Sequence, residues 1–309
     1  MATGRVSDTI RLTEAGVDEV FNRAAKAPSR KYWQAIVNVK PQKKQIGNYV
    51  TLGDFTSAEV VAEGDSIIYD KVIQNNETHI TTVKYGKGAA ATMEQLDFDL
   101  ENIIKNRFGA PLVTAMQVKK EKEVAAVYNN AFTATGADGV AQIADNHPLA
   151  NSVSVNDNLV TGALSTENIK AAKTRFTFIY NQAGDFFDTM PTHLLIHPAK
   201  QFQAFELLNS ALLAWELSNT KNSLQDGDMQ PLKVLINPYL TYTIATDVSP
   251  WFLLDKGLTD AGVVLQTKGG LQLETEWDFD TSAYKAKALE YYGAGMVAPG
   301  YGLVGSTGA

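Results

Sequence analysis

The sequence predicts an α+β protein in which strands and helices occupy separate blocks. Three stretches carry that expectation. Residues 48–85 are rich in β-branched, aromatic and turn-forming side chains, and residues 97–132 have a helical apolar period. After residue 185, short apolar strands alternate with a helix. The chain has 309 residues, 45% hydrophobic and 20% charged, which suits one large domain or two to three smaller ones. Cysteine is absent, which removes disulfides, thiolate chemistry and cysteine-based zinc sites. No apolar run approaches the ~20 residues that span a bilayer. The opening MATGRVSDTIRL lacks the apolar core of a secretory signal.

The N-terminal arm is basic. Residues 1–45 hold nine Lys or Arg against four Asp or Glu, whereas the rest holds 18 against 30, within a net charge of −7. A basic arm on an acidic body suits contact with nucleic acid or an acidic partner, or a solvated helix; the overall charge argues against a dedicated nucleic-acid binder. Thr13 can cap a helix over TEAGVDEVFNRAAKA, with Val17, Val20, Phe21 and Ala24 on one face and Pro28 ending it. So narrow an apolar face must dock on the rest of the chain or on another subunit.

SIIYDKVIQ and ETHITTVKY read as two strands, with Asn75-Asn76 supplying the turn of a long hairpin. A hairpin alone is marginally stable and needs a surface to lie on. The helical stretch is divided at Pro111, where a second helix can start after Gly109-Ala110. Val113, Met116, Val124, Val127 and Ala131 form its stripe, interrupted by the charged run Lys119 to Glu123. Residues 133–164 are rich in Gly, Asn, Asp and Ser and read as a linker. Ser165 or Thr166 caps the next helix, with Ile169, Ala172, Phe176 and Ile179 on one face. THLLIHP, AKQFQAFELLNS, LKVLINPYL and WFLLD read as strand, helix, strand and strand. GLQLETEWDFD alternates, placing Leu271, Leu273, Trp277 and Phe279 opposite Glu274, Glu276, Asp278 and Asp280; SAYKAKALEYYGAGM is its expected antiparallel neighbour.

The chemical motifs are weak. Gly300-Tyr301-Gly302-Leu303-Val304-Gly305 matches a dinucleotide-binding turn, but only Ser306 to Ala309 follow, so the helix that would hold the pyrophosphate has no residues to form from. These glycines suit a tight, flexible ending. His193 and His197 have helical metal-pair spacing but lie on an expected strand, about 13 Å apart. His147 sits in a polar turn beside Asp145 and Asn146. Alternate carboxylates in the Glu274–Asp280 stripe lie about 6.6 Å apart, compatible with a glycoside-cleaving pair; a solvated face is the commoner meaning. No cofactor or metal is expected.

The order of these pieces resembles the major capsid proteins of tailed phages, which have the Hong Kong 97 fold, and within them the Mu-like major head subunits. EGDSIIYDKVIQNNETHITTVKYGKG is similar to that family's extended loop, ATMEQLDFDLENIIKNRFG with EKEVAAVYNNAF to its spine helix, and LLIHPAKQFQAFELLNS with VLINPYLT and WFLLD to its axial domain. DFDTSAYKAKALEYYGAGMVAPGYGLVGS is similar to its closing strands and tail. The resemblance implies an arm over 1–45, an extended loop over 46–92, a peripheral domain with the spine helix over 93–184, an axial domain over 185–268, and returning strands with a tail over 269–309.

It also implies a structural protein, not an enzyme, that assembles with itself as hexamers and pentamers into an icosahedral shell around double-stranded DNA. Its place would be the virion, after assembly in the host cytoplasm, with no membrane contact. A separate scaffolding protein, a portal and decoration proteins are further expected partners, with weak non-specific contact to the packaged DNA. On that basis Glu63, Asp65 and Asp70 are candidate contacts to Lys119, Lys120 or Lys122 of a neighbour, and Phe21, Arg30 and Lys31 are candidate arm contacts. A nanocompartment shell of the encapsulin type is the alternative, and a carbohydrate-active enzyme using Glu274 to Asp280 a remote one.

Overall fold

The computed structural model describes residues 19–25, 32–71, 74–98, 103–149, 154–210, 222, 224, 231–258 and 261–309. Thr13, Val17, Arg30 and Lys31 lie outside these described residues. Two five-stranded sheets and one long helix organise the chain. The elements in order are α1 (residues 19–25), α2 (Tyr32–Ile36), β1 (Asn38–Pro41), β2 (Ile46–Leu52), β3 (Gln74–Thr81), β4 (Val83–Thr92), α3 (Met93–Asp97) and α4 (Ile103–Asn129). There follow β5 (His147–Pro148), β6 (Val155–Asn156), β7 (Leu159–Val160), α5 (Thr166–Thr177), β8 (His193–Ile196), α6 (Gln201–Asn209), β9 (Lys233–Ile236) and β10 (Trp251–Leu254). The chain then returns through β11 (Gly262–Thr267), β12 (Gln272–Asp278), β13 (Ala283–Val297) and β14 (Leu303–Ser306).

The first sheet is built on β13. Its 15 residues pair antiparallel with β4 along one side and with β12 and then β11 along the other, and β1 lies parallel beyond β11. Alternation does the sorting: Tyr284, Ala286 and Ala288 point inward, Lys285 and Lys287 outward. Phe108, Leu112, Val113 and Met116 of α4 cover the inner face together with Phe21 of α1.

Helix α4 runs unbroken through Pro111, although the sequence suggests a division there. The 27 residues extend about 40 Å at 1.5 Å per residue. Gly109 has another use than starting a helix. A Cβ there would lie 2.3 Å from Val20 Cγ1, so the glycine lets α1 cross closely. The far end of α4 packs Val124 and Tyr128 on the second sheet, and Ala131 just beyond it joins the same cluster. The charged run does not interrupt the buried stripe. Lys120 and Glu121 are themselves buried, with Lys120 paired to Glu290 of β13.

The second sheet has the order β7-β14-β10-β8-β9 and is buried on both faces. Phe252, Leu254, Leu195 and Leu303 face the end of α4, while Trp251, Leu253, Leu194, Ile196 and Val304 face α5 and α6. The expected face of α5 is found, with Ile169, Ala172 and Phe176 buried and Ser165 capping it. The ending at Gly300 to Gly305 is not a flexible tail. It delivers β14 into the sheet, between β10 and β7. Gly300 and Gly302 have φ of +83° and +68°, which make the turn, and a Cβ on Gly305 would lie 2.6 Å from Ile143 and 2.7 Å from Phe252.

Two more expectations are corrected. Asn75 and Asn76 lie inside β3, not at a turn; β3 pairs antiparallel with β2, and the connection between them is residues 53–73. Residues 133–164 are not a loose linker over the part described. Ile143, Ala144, His147, Leu149, Asn156 and Asn158 are buried, and β5 with β6 forms a small hairpin.

Candidate assembly interface

The segment between β2 and β3 has no interior of its own. Every residue from 54 to 71 is exposed, among them Phe55, Val60, Val61, Ile67, Ile68 and Tyr69. Leaving such side chains in water forgoes about 1.5–3 kcal/mol each relative to covering them. Yet the loop has a defined course. Asp70 Oδ2 accepts hydrogen bonds from Thr56 N at 2.7 Å and Thr56 Oγ1 at 2.8 Å, which ties its two limbs together. A turn follows at the tip, where Asp65 N donates to Ala62 O at 3.0 Å and Gly64 takes φ +89°.

The root is fixed by Gln182. Its N donates to Asp54 Oδ2 at 2.9 Å, its Oε1 accepts from Asn75 Nδ2 at 2.8 Å, and its Nε2 donates to Tyr301 Oη at 3.0 Å. Burial pushes the Tyr301 hydroxyl well above its ordinary range, so it stays protonated. Sequence reading missed Gln182, because nothing local distinguishes it; its partners lie 107 to 128 positions away.

The charged candidates differ in what they can offer. Glu63 and Asp65 stand exposed at the loop tip, and Asp70 is engaged by Thr56. Lys119 pairs with Glu123 one turn on and lies over the Tyr85 ring; its hydrogen bond to Glu123 raises its pKa. Lys120 is held in the interior by Glu290, 4.8 Å from the Trp33 ring centre and 5.1 Å from that of Tyr292. Lys122 alone of the three is exposed with no intrachain ion pair among the described residues. Phe21 makes its contacts inside its own subunit, against Phe108 and Tyr284. Beside Lys120, burial lifts the Glu121 carboxyl to about 7 against the opposing pull of the Trp33 and Tyr32 backbone N–H groups.

The carboxylate stripe is a solvated ladder. Glu274 pairs with Lys287 at 2.8 Å and Asp278 with Lys285, across β12 and β13. Those lysines lower both carboxyls, Asp278 to about 2, so neither is the proton-holding acid that glycoside cleavage requires. A shallow trough of about 480 Å³ lies over this ladder and is floored by Gly88, Ala89 and Ala90. Phe279, expected on the inner face, is exposed beyond the end of β12. His193 and His197 stand at either end of strand β8, His197 accepting from Ala199 N at 3.1 Å. Among the described residues no group of His, Asp or Glu has the arrangement of a metal site, and no helix is long and apolar enough to cross a membrane.

The model of the phage capsid protein family matches residues 75–302. No curated protein matches the sequence. Among solved structures, the chain is similar to the procapsid of bacteriophage JBD30, with 13% identity, TM-score 0.51, and 98% of this chain and 76% of that one covered. It is similar to Mycobacterium phage Che8, with 16% identity, TM-score 0.51 and coverage of 86% and 85%. The holo-SrpI encapsulin complex from Synechococcus elongatus is also similar, with 11% identity, TM-score 0.55 and coverage of 91% and 88%. At such identities these likenesses speak to the fold, and the family match, which spans most of the sequence, speaks to membership. The chain belongs to the phage capsid protein family, and it is a major capsid protein with the Hong Kong 97 fold that forms an icosahedral phage head.

Proposed function

We propose that copies of this chain assemble as hexamers and pentamers, and that the loop over residues 53–71 is the element each copy lays on its neighbour. The observation that carries this reading is the row of exposed apolar side chains on a loop whose root and limbs are tied in place. A pre-shaped apolar loop gives up little conformational freedom when it is covered. Glu63 and Asp65 at its tip then meet basic side chains on the neighbouring subunit, with Lys122 the member of the α4 trio free to answer them. Such exposed pairs contribute about 0–1 kcal/mol each, so they set register more than strength.

The shell encloses double-stranded DNA, with which an acidic body makes only weak contact. Scaffolding, portal and decoration proteins are its further partners, assembly takes place in the host cytoplasm, and the protein's role is structural, not enzymatic. Within that family we read the chain as a Mu-like head subunit, a reading supported by the order of its segments. An encapsulin-like compartment is the second reading, supported by the SrpI likeness; the phage family match favours the first.

Negative-stain microscopy of the purified protein, alone and with the phage's scaffolding protein, tests the proposal. Closed shells or capsomer rings are expected, and a monomer that never assembles would sink it. Glu63→Lys should impair assembly while the subunit stays folded, and adding Lys122→Glu should restore particles. Normal particles from Glu63→Lys alone would remove the tip pairing.

A further inference from the structure

Two groups of aromatic side chains stand exposed at opposite edges of the second sheet. At one edge α5 packs on β7 and β14, and the chain after it turns back through a hairpin. Phe187 N donates to Ile179 O at 2.8 Å and Asn181 N to Asp185 O at 2.7 Å. Asn156, just before β7, holds this hairpin from the side: its Nδ2 donates to Tyr180 O at 2.9 Å, and its Oδ1 accepts from Tyr180 N at 2.8 Å. The Phe186 ring stacks on Tyr180 at 5.1 Å and meets Phe178 edge-on at 6.0 Å, yet Phe178 and Phe186 are 56% and 64% exposed. At the other edge α6 packs on β9, the last strand on that side among the described residues. Ala204 and Leu208 of α6 are buried, whereas Phe202 and Phe205, neighbours at helical spacing, are 73% and 65% exposed. Beside α6 a groove of about 480 Å³ runs along β9, lined by Tyr32, Pro198, Gln201, Val234 and Ile236. At about 4.8 Å per strand, β7 and β9 lie about 19 Å apart across the sheet.

We propose that these two patches meet each other between copies: the Phe178, Tyr180 and Phe186 cluster of one chain receives Phe202 and Phe205 of the next. The contact rests on the reading that copies assemble as pentamers and hexamers. A contact between two different surfaces joins copies head to tail and can close a ring, whereas a patch that meets its own like stops at a pair. Each chain carries the two halves at opposite edges of one sheet, so each copy can hold a neighbour on either side. The aromatic half is already formed. Its rings are held by one another and by the hairpin, so they give up little freedom when covered, and such aromatic anchors carry much of the energy of an interface. The cluster is also continuous with the loop over residues 53–71. Gln182, inside the same hairpin, bonds Asp54 and Tyr301. One hairpin therefore carries both the root of the loop and the aromatic cluster, and a neighbour seated on one abuts the other.

The chain has no cysteine, so introduced cysteines can map the contact. Asp185→Cys and Asn209→Cys flank the two patches at exposed positions and leave every ring in place. In particles formed with the scaffolding protein and mildly oxidised, the double variant should give a covalent ladder that ends at pentamers and hexamers. Either single variant should stay monomeric on a denaturing gel, and a mixture of the two singles should stop at dimers. Particles without the ladder overturn this contact and leave the assembly reading standing; an unaltered chain that forms neither rings nor shells overturns both. Cross-linking of Asn209→Cys to itself also overturns the contact, since like patches would then meet. Phe202→Ser with Phe205→Ser supplies the second arm. The fraction of chains in rings or shells should fall about tenfold or more, with the urea midpoint of the subunit unchanged. Full assembly by that variant overturns the contact, and if the double cysteine variant does not assemble, the serine pair decides.

Discussion

Two long irregular segments of this molecule have opposite fates. Residues 54–71 are exposed throughout and turn their apolar side chains to solvent. Residues 133–164, over the part described, bury Ile143, Ala144, Leu149, Val160 and Leu164 and hold a buried polar cluster at His147, Asp138 and Asn158. The first segment carries Val60, Val61, Ile67 and Ile68, and the second is rich in Gly, Asn and Ser. Composition alone suggests that the apolar one is inside and the polar one outside. The reverse holds: the subunit completes the second segment by itself, whereas the first is left uncovered and, on the proposed reading, is covered by another copy. Apolar content tells where a segment ends up in the assembly; buried hydrogen bonds tell what the subunit does alone.

That contrast can be tested by ranking substitutions by their effect on the isolated subunit. The largest effect is expected from Gly305→Val, because its side chain would enter the space of Ile143 and Phe252, where the ordered segment meets β14. Overpacking of this kind costs about 1–3 kcal/mol or more, measured as a lower urea midpoint. Asn158→Ala comes next. It strips partners from Ala144 N, Gln142 O and His147, and each buried group left unpaired costs about 1–3 kcal/mol unless water replaces the amide.

Glu121→Gln should act through pH. The carboxyl is raised from 4.5 to about 7 in the folded chain, so folding binds its proton more tightly. Its stabilising contribution is full below about pH 4.5 and is lost as pH rises through about 7. The glutamine variant should show a flatter fall in stability over that window. A steeper fall in the variant would mean that the Tyr32 and Trp33 N–H groups, not burial, dominate.

Ile68→Asp with Tyr69→Asp inverts the pattern. Both side chains are exposed, so subunit stability should move by no more than about 0.5 kcal/mol while shells fail to form. A destabilised subunit would break the contrast between the two segments. Glu276→Gln sits at the bottom of the ranking. It lies on the solvated ladder of β12, and neither stability nor assembly should change measurably.

What the sequence disclosed follows from which forces are local. The period of α5, the strands β8, β10 and β12, and the pairing of β12 with β13 were all legible, because alternation and capping are read over a few residues. The hidden features depend on distant partners. Lys120 looks like a surface charge until Glu290 is placed against it, 170 positions on. Pro111 looks like a boundary, yet α4 runs on because flanking turns packed on the first sheet outweigh one missing hydrogen bond. Asn75 looks like a turn residue, but Gln182 holds its side chain beside a strand. Of the exposed loop, the acidic residues Glu63 and Asp65 stand out in the sequence, whereas its root at Gln182 does not.

The position of β14 has a consequence for how the protein is made. It lies between β7, at residues 159–160, and β10, and is parallel to the former. The two flanking strands cannot join until residues 303–306 arrive between them. At about 5–20 residues per second, a ribosome needs roughly 7–30 s to travel from β7 to β14. For that interval every nascent chain carries an open sheet, and a subunit becomes fit to enter a shell only once its synthesis has passed β14.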